Sequence, residues 1–423
     1  MNKRWPAGIA LFAAAWYASD SLRHRREEGS GYELMGEVDA ADESFLYATE
    51  ALTGAPISYG NDVDLLINGD KIFPAFLETI KGAERTLNML TYVYWTGDIA
   101  HDIAGALCEK AREGVRCNVL LDALGALRMD SELISNMEEA GVEVRRFRPA
   151  KPYAIRRIAN RTHRKVVVAD GKVGLIGGVG IADEWTGNAH DSEHWRDTHV
   201  RVRGPVVRGL QGAFAENWLE ATGQVLAGED YLPRLEAITD AGAMQVMRSS
   251  AGVGDTDAEA LFFLAISCAK KSLDLTSAYF VPRPAFIQAL VEASGRGVEV
   301  RVIVPGRHMD KEVVRIAGRS TYEELMRGGV QIFEYQPTML HAKTLVVDGV
   351  WATVGSVNFD NRSFQLNDEA TLCVQSTTFA KQLTEVFEDD LSKSEKMKQR
   401  RWLRRGPVQR SKEMGARLLR REL

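Results

Sequence analysis

Residues 340–364, LHAKTLVVDGVWATVGSVNFDNRSF, decide the fold because the chain carries a near-copy of them at residues 162–185, THRKVVVADGKVGLIGGVGIADEW. Each copy begins with a His-x-Lys pair on a run of β-branched residues and continues into an Asp-Gly pair. Residues two apart on a strand point to the same face, and Asp-Gly is a strong hairpin signal. Both copies therefore predict a β-hairpin that presents a histidine and a lysine side by side.

The second hairpin is predicted to gather four polar side chains on one face. A two-residue turn at Asp348-Gly349 would set Ser356 opposite His341. Asn358 and Lys343 would lie on that same face, because each is two residues along its strand. This copy therefore offers a histidine, a lysine, a hydroxyl and an amide.

The first hairpin is predicted to present fewer polar side chains on this face. A turn at Asp170-Gly171 would set Gly178 opposite His163, and Gly180 stands where the second copy has its asparagine. This face offers His163 and Lys165 beside glycines, whose main-chain amides are open to a ligand.

Carboxylates fall into two groups. Asp170 and Asp348 have the wrong strand parity to share a face with the histidines, so the residues alone predict turn and packing roles for them. Asp197 in HWRDTHVRV and Glu369 in QLNDEATLCV begin matching strands of the two halves. A buried carboxylate on one imidazole nitrogen would fix the tautomer and leave the other nitrogen free to react.

The repetition extends well beyond the hairpins. RTLNMLTYVYW at residues 85–95 matches KSLDLTSAYFV at 271–281, and AREGVRCNVLLDA at 111–123 matches ASGRGVEVRVIVP at 293–305. Strands alternating with helices indicate an α/β fold of two units with mixed central sheets in one chain, related by a pseudo-two-fold axis. The predicted segments are an N-terminal hydrophobic segment at 1–26, the two units at 55–222 and 241–392, and a basic tail at 393–423.

Composition and charge limit the class of protein. The 423 residues are 45% hydrophobic, enough for a well-buried core, and the four scattered cysteines form no CxxC pair, so reduced thiols are expected. Residues 393–423 hold 12 Lys or Arg against 3 Asp or Glu, which leaves the rest of the chain at −14. Such a body is a poor match for nucleic acid, whose binding relies on many Lys and Arg contacts to phosphates.

Both ends of the chain suggest membrane contact. The tail mixes Trp402 and leucines with arginines, which fits a segment lying on an anionic membrane surface or a solvated helix. Residues 5–18, WPAGIALFAAAWYA, are apolar but shorter than the ~20 residues that cross a bilayer. They fit a short span, an interfacial anchor or a signal peptide, and the positive charge after them places a retained body on the cytoplasmic side of the cell membrane.

Two histidines and two lysines at a pseudo-two-fold axis would form a compact cationic site for one phosphate diester. In-line displacement at phosphorus needs a nucleophile on one side and a proton donor to the leaving oxygen on the other. One histidine would attack to give a phosphoryl-imidazole, while the other protonates the departing alcohol and then activates the acceptor. Lys165, Lys343 and Asn358 would hold the equatorial oxygens. The scheme uses no metal and no other cofactor.

The repeated spacing His-x-Lys-x4-Asp, followed in the second copy by x6-Gly-Ser-x-Asn, resembles the phospholipase D superfamily. Over residues 55–405, the segments RTHRKVVVADG, HWRDTHVRVRGPVV, LHAKTLVVDG, GSVNFDNRSFQLNDE and FEDDL resemble bacterial cardiolipin synthases. The resemblance implies that a phosphatidyl group passes from one phosphatidylglycerol to the hydroxyl of another, with release of glycerol.

The resemblance also implies roles for individual residues. His163 would be the nucleophile and His341 the general acid and base, and Asp170 and Asp348 join the site residues. Ser356, Asn358 and Gly178 would help to bind the phosphate. Two other functions stay open: a phospholipase D or nuclease with water as acceptor, and a catalytically silent membrane scaffold. The expected partners are phospholipids and an anionic membrane surface rather than nucleic acid.

Some features have two interpretations. The basic insertion at residues 150–165, AKPYAIRRIANRTHRK, predicts a headgroup entrance or a solvated loop. His190 and His194 have a metal-like spacing without a third ligand, so a polar loop is predicted there and no metal. Aromatic residues at the ends of the first strands would wall a lipid pocket or fill the core; they are Tyr92, Tyr94, Trp95, Tyr279 and Phe280.

Overall fold

The structure, a computed structural model, describes residues 32–149, 160–239, 241–251, 256–403, 405–406, 413 and 415. Residues 38–423 form one compact unit that holds both copies of the repeat. The predicted N-terminal segment and residues 150–159 of the basic insertion lie outside the described residues. Within the described ranges, no helix is long and apolar enough to cross a membrane.

The first half builds a seven-stranded mixed sheet. Its strands are β1 (Asp62–Ile67), β2 (Thr86–Thr91), β3 (Arg116–Asp122), β4 (Glu143–Phe147), β6 (Val166–Ala169), β7 (Val173–Gly177) and β8 (Thr198–Arg203), while β5 (Arg161–Thr162) joins the other sheet. The spatial order is β1-β8-β7-β6-β2-β3-β4, with β2, β3 and β4 parallel. The helices are α1 (Glu43–Thr53), α2 (Gly69–Lys81), α3 (Asp98–Arg112), α4 (Ser131–Glu139) and α5 (Val207–Thr222).

The second half builds a nine-stranded mixed sheet. Its own strands are β9 (Ala243–Ser249), β10 (Ser272–Ser277), β11 (Glu299–Pro305), β12 (Gln331–Tyr335), β13 (Lys343–Val347), β14 (Trp351–Gly355), β15 (Asn367–Gln375) and β16 (Ser394–Lys396). The order is β16-β12-β11-β10-β13-β14-β15, and both β5 and β9 pair with β15. The helices are α6 (Asp257–Cys268), α7 (Pro284–Gly295), α8 (Glu312–Arg319), α9 (Tyr322–Arg327), α10 (Thr377–Ser392) and α11 (Gln399–Leu403).

The two halves share one core, which confirms the predicted α/β fold with two mixed sheets. Apolar side chains of β6, β7 and β8 pack in the same cluster as those of β13, β14 and β15, together with residues of α5 and α10. The central strand β2 is buried along its whole length, as expected of a strand with parallel and antiparallel neighbours inside a layered α/β fold. The two His-x-Lys hairpins therefore stand on a base of buried apolar side chains.

The hairpin register differs by one residue from the predicted one. Val347 pairs with Trp351, and Ala169 pairs with Val173, so three residues separate the paired strands rather than two. The N–H of Val350 donates to the carbonyl of Val347 (3.0 Å), and that of Lys172 donates to the carbonyl of Ala169 (2.9 Å), so each of these residues closes its turn. The Asp-Gly turn is present, and the extra residue follows it as a bulge.

The start of the basic tail folds back onto the protein. The indole of Trp402 is buried with its centroid 5.2 Å from the ring of Tyr322, and the guanidinium of Arg405 lies 3.2 Å from Glu323. The prediction that Trp402 lies on a membrane is therefore wrong, because this aromatic side chain finds its apolar contacts on α9.

Candidate active site

The main chain attaches His163 to the strand that carries the other half's carboxylate. His163 follows β5, and its N–H donates to the carbonyl of Asp368 at the start of β15 (2.8 Å). Its Nδ1 then lies 3.0 Å from Oε1 of Glu369 and 3.1 Å from the carbonyl oxygen of Ser356. Both neighbours are acceptors, so Nδ1 carries the hydrogen and Nε2 carries the lone pair. The hydroxyl of Ser356 donates to Oε2 of Glu369.

His341 has the same main-chain setting in the opposite sense. Its N–H donates to the carbonyl of Arg196 (2.7 Å), and Nδ1 lies 2.8 Å from Oδ2 of Asp197. The indole Nε1 of Trp185 donates to the same oxygen (2.9 Å). The ammonium of Lys343 lies 2.9 Å from Nδ1 and 3.1 Å from Nε2 of this imidazole.

Each orienting carboxylate thus contacts the histidine of the other half, which was not predicted from the sequence. Ser356 lies beside Glu369 and His163, so the prediction that it faces His341 is wrong. Gly178 lies beside Asp197 instead of His163, since a Cβ at this glycine would stand 2.3 Å from Oδ1 of Asp197. The shifted register and the crossing of the strands together account for both errors.

Asp170 and Asp348 lie in the two hairpin turns, with positive φ angles of 52° and 53°. Each carboxylate accepts hydrogen bonds from three consecutive main-chain amides at the start of the neighbouring strand. These amides belong to Glu84, Arg85 and Thr86 in the first half and to Lys270, Lys271 and Ser272 in the second. The geometry ties each turn to β2 or β10 and gives neither aspartate a contact with an imidazole within the described residues.

Aromatic rings and an amide surround the two imidazoles. The ring centroid of Tyr92 is 5.3 Å from that of His163, and the ring of Tyr279 is 6.2 Å from His341. Oδ1 of Asn358 accepts from the N–H of Tyr279 (3.2 Å), so the amide is fixed beside the second half-site. The two tyrosines predicted from strand ends therefore line the site.

Burial makes both imidazoles weak bases. It lowers the pKa of His163 to about 4, even though Glu369 acts in the opposite direction, and lowers the pKa of His341 to about 3 with a further contribution from Lys343. Burial also lowers the pKa of Lys165 to about 7 and that of Lys343 to about 8. At neutral pH both histidines are therefore neutral, and the lysines next to them are close to losing their protons.

The carboxylates stay ionised in this setting. Burial by itself would raise the pKa of Asp197, but the hydrogen bond with His341 and the charge of Lys343 bring it below its usual value. Glu369 behaves alike, because His163 and Lys165 offset its burial and lower its pKa. Each histidine therefore faces a fixed negative charge on Nδ1.

Basic residues next to the histidines are structural rather than exposed. Arg164 is fully buried, and its guanidinium donates to the carbonyls of Glu369 (3.0 Å), Ala213 (2.7 Å) and Ser249 (2.9 Å). Arg161 is buried as well. The insertion that carries these two residues was predicted to line a headgroup entrance or to be a solvated loop, and neither fits Arg161 and Arg164, which are buried. Arg164 connects the two halves, and Arg161 contacts Asp122 and the carbonyl of Arg148 within the first half.

A carboxylate lies next to the histidine pair at residues 190 and 194. Nδ1 of His194 lies 2.7 Å from Oδ1 of Asp191, and Nε2 of His190 lies 3.1 Å from Oδ2 of the same residue. The three ligand atoms lie within 4.8 Å of one another. Asp191 therefore pairs with both histidines in an exposed polar loop.

Two residues of the site were not found from the sequence. Trp185 contacts Asp197 as described above, and Arg196 forms a buried two-point ion pair with Asp390 (2.9 and 2.8 Å), which anchors the strand before Asp197 on α10. An alignment of the two copies would have drawn attention to Trp185, because this tryptophan stands at the position of Ser363 in the second copy.

Comparisons with known proteins identify one family. The family described as "Cardiolipin synthase, PLD-like domain" matches residues 76–204 and 263–391. The cardiolipin synthase of Halalkalibacterium halodurans is 35% identical over 406 residues, covering 95% of this chain and 80% of that protein. The cardiolipin synthase of Alkalihalophilus pseudofirmus is 35% identical over 341 residues, covering 80% of this chain and 68% of that protein.

Solved structures share the fold at low identity. The crystal structure of phosphatidylserine synthase from Haemophilus influenzae superposes with a TM-score of 0.66 at 13% identity, covering 90% of this chain and 100% of that one. The polyphosphate kinase of Porphyromonas gingivalis superposes with a TM-score of 0.55, also at 13% identity, over 80% of this chain and 49% of its own. At such identity the likeness shows the fold alone.

Proposed function

Because the chain belongs to the family of cardiolipin synthases with phospholipase D-like domains, we propose that it moves a phosphatidyl group from one phosphatidylglycerol to the hydroxyl of another, forming cardiolipin and glycerol. The observation that carries the mechanism is the crossed pairing of two histidines with two buried carboxylates. With Nδ1 engaged on each ring, both Nε2 atoms are the reacting atoms.

In the first step, Nε2 of His163 attacks the phosphorus of the donor lipid and the bond from phosphorus to the glycerol oxygen breaks. His341 gives a proton to that oxygen, and glycerol leaves. The neutral state of His163 suits attack, since its lone pair is available. The anionic phosphodiester, once bound, raises the pKa of His341 and so supplies the protonated form that the leaving group needs.

In the second step, His341 takes the proton from a hydroxyl of the acceptor phosphatidylglycerol. The resulting oxygen attacks phosphorus, the bond from phosphorus to Nε2 of His163 breaks, and cardiolipin forms. Lys165, Lys343 and Asn358 hold the phosphate oxygens and offset their charge, as proposed from the sequence. Asp170 and Asp348 support the hairpins. The N–H of Gly178 donates to the carbonyl of Thr198 (3.2 Å) and the hydroxyl of Ser356 donates to Glu369, so these two groups support the site and do not bind the phosphate as the sequence predicted.

The assignment of His163 as nucleophile draws support from its surroundings. Lys165 donates to the carbonyl of His163 (2.8 Å), and within the described part of the chain no lysine contacts this ring. Lys343, in contrast, lies against both nitrogens of His341. A ring with a free lone pair suits attack, and the lysine beside His341 favours the neutral ring that takes the proton from the acceptor in the second step.

The membrane roles extend the same proposal. Residues 1–26 and the remainder of the basic tail at 393–423 would hold the two units, 55–222 and 241–392, on the anionic cytoplasmic face of the cell membrane. Support comes from the apolar run at residues 5–18, the positive charge that follows it and the local charge of +9 in the tail.

The test is to incubate the purified full-length protein with vesicles that contain headgroup-labelled phosphatidylglycerol. Cardiolipin with an equal amount of released glycerol supports the proposal. Phosphatidic acid alone would make the protein a hydrolase, and absence of both products would leave a scaffold; either result overturns the transferase.

A further inference from the structure

The two orienting carboxylates receive their second hydrogen bond from different kinds of residue. In the second half, the hydroxyl of Ser356 donates to Glu369, two residues before Asn358. The corresponding positions of the first half are Gly178 and Gly180. A glycine has no side-chain donor, so the carboxylate of Asp197 must be satisfied from elsewhere.

Asp197 itself excludes a serine from position 178. A Cβ at Gly178 would stand 2.3 Å from Oδ1 and 2.8 Å from Oδ2 of this carboxylate. Real Cβ atoms do not approach oxygen this closely, so the carboxylate occupies the space in which a side chain would begin. The glycine is therefore a consequence of where Asp197 lies.

Trp185 fills the missing role. Its indole Nε1 donates to Oδ2 of Asp197 (2.9 Å), the same oxygen that receives His341 Nδ1 (2.8 Å), while Oδ1 accepts from the N–H of Thr198 (2.7 Å). An indole N–H is only ever a donor, so this bond cannot reverse. The ring is 2% exposed, and it stands edge-on to the imidazole with centroids 5.1 Å apart.

Val93 and the indole together limit the space at the second glycine. A Cβ at Gly180 would lie 3.2 Å from Cη2 of Trp185 and 2.7 Å from Cβ of Val93. An asparagine at this position, matching Asn358 of the other half, has no room between Val93 and the indole. The two glycines of the first half thus lie next to Asp197 and Trp185, respectively, where a side chain would clash.

We propose that Trp185 is a positioning residue of the transfer reaction: its indole N–H replaces the serine hydroxyl of the other half as the second donor to the carboxylate that orients the acid–base histidine. The inference rests on the proposed function for the identity of that reaction. By sharing Oδ2 with His341, Trp185 fixes the rotation of Asp197 and holds the imidazole with its hydrogen on Nδ1. Nε2 is thereby kept towards the substrate.

The test is Trp185→Phe, which keeps an aromatic ring beside His341 and removes the N–H. Phosphodiester cleavage is counted as the sum of cardiolipin and phosphatidic acid, so the identity of the acceptor does not affect the measurement. We expect kcat to fall by about tenfold with KM within about twofold, because a hydrogen bond to a charged group is being lost. A change in KM alone would contradict a positioning role.

A second readout does not depend on turnover. With ¹⁵N-labelled histidine, the two ring nitrogens of His341 should report a fixed Nδ1–H tautomer in the wild type and averaged shifts in Trp185→Phe, while His163 keeps its signals. If the wild type cleaves no phosphodiester, the transferase proposal fails and this measurement still decides the role of Trp185. Unchanged signals of His341, or equal changes at both histidines, would overturn it.

The matched control is Trp95→Phe. Its indole donates to the carbonyl of Gly125 (2.9 Å), and its ring lies 6.2 Å from that of Trp185. The change removes the same group from the same aromatic cluster and leaves Asp197 untouched. Trp95→Phe should therefore keep the tautomer of His341, and a loss of the tautomer in this variant would reduce Trp185 to general packing.

Discussion

The two half-sites share a main-chain frame and differ in their side chains. In both, the N–H of the histidine donates to the carbonyl that precedes the other half's carboxylate. Around His163 the second donor to that carboxylate is a hydroxyl, whereas around His341 it is an indole, and only His341 has a lysine against its ring within the described residues. Repetition of the chain sets where the histidines lie, and their neighbours set what each can do.

The strongest test of this division removes one histidine at a time. His163→Ala and His341→Ala should each lower turnover of phosphatidylglycerol by at least about 10³-fold, since each loses a reacting group. With a nitrophenyl phosphodiester donor, whose leaving group needs no proton, His341→Ala should still form a phosphohistidine and His163→Ala should not. Mass spectrometry of acid-free peptides measures this. A phosphate trapped on His341 would reverse the roles, and full activity in either variant would refute the mechanism.

The crossed carboxylates come next. Asp197→Asn and Glu369→Gln should each lower kcat by about 10²- to 10³-fold, because an amide can stabilise the wrong tautomer of its histidine. With the nitrophenyl donor, the phosphohistidine should accumulate in Asp197→Asn, in which the second step is slow, and should form slowly in Glu369→Gln. Rapid quenching separates the two cases. The opposite pattern would mean that each carboxylate serves the histidine of its own half.

The two lysines should determine how kcat/KM depends on pH. Their lowered pKa values, about 7 for Lys165 and about 8 for Lys343, mean that positive charge is lost as the pH rises through this range. We expect kcat/KM to fall above pH 8 by about tenfold per pH unit for each lysine that must be charged. Protonation of the nucleophile His163, with a pKa of about 4, should lower kcat/KM only below pH 5. A kcat/KM that rises through pH 8 would show that the lysines act in their neutral form.

The sequence predicted the elements that depend on neighbouring residues, and it did not predict the features that depend on pairing between distant strands. The His-x-Lys hairpins and the α/β repeats follow from patterns within about 25 residues, and the structure has them. The register differs in both hairpins because one further residue, Lys172 or Val350, follows each Asp-Gly pair before the strands pair again. The crossing depends on the pairing of β5 with β15 and of Arg196 with Leu340, which no local pattern encodes.

Restoring the asparagine to the first half tests why the halves diverged. Gly180→Asn places a Cβ 2.7 Å from Cβ of Val93 and against Trp185, so we expect a loss of about 1–3 kcal/mol in the free energy of unfolding. Denaturant unfolding measures it. Gly105→Asn on α3 is the control, because a Cβ there meets no atom within 4 Å. Equal stability of Gly180→Asn and the wild type would remove the steric argument.

The smallest effect is expected at the turns, where the halves are most alike. In Asp348→Asn the side-chain carbonyl can still accept from Lys271 and Ser272, while the bond from the amide of Lys270 is lost, at a cost of about 1 kcal/mol in stability. Asparagine tolerates the positive φ of 53°, so the turn itself survives. The rate should therefore fall far less than in His341→Ala. If the folded variant loses as much activity as His341→Ala, Asp348 takes part in the chemistry and its amide contacts are not its main role.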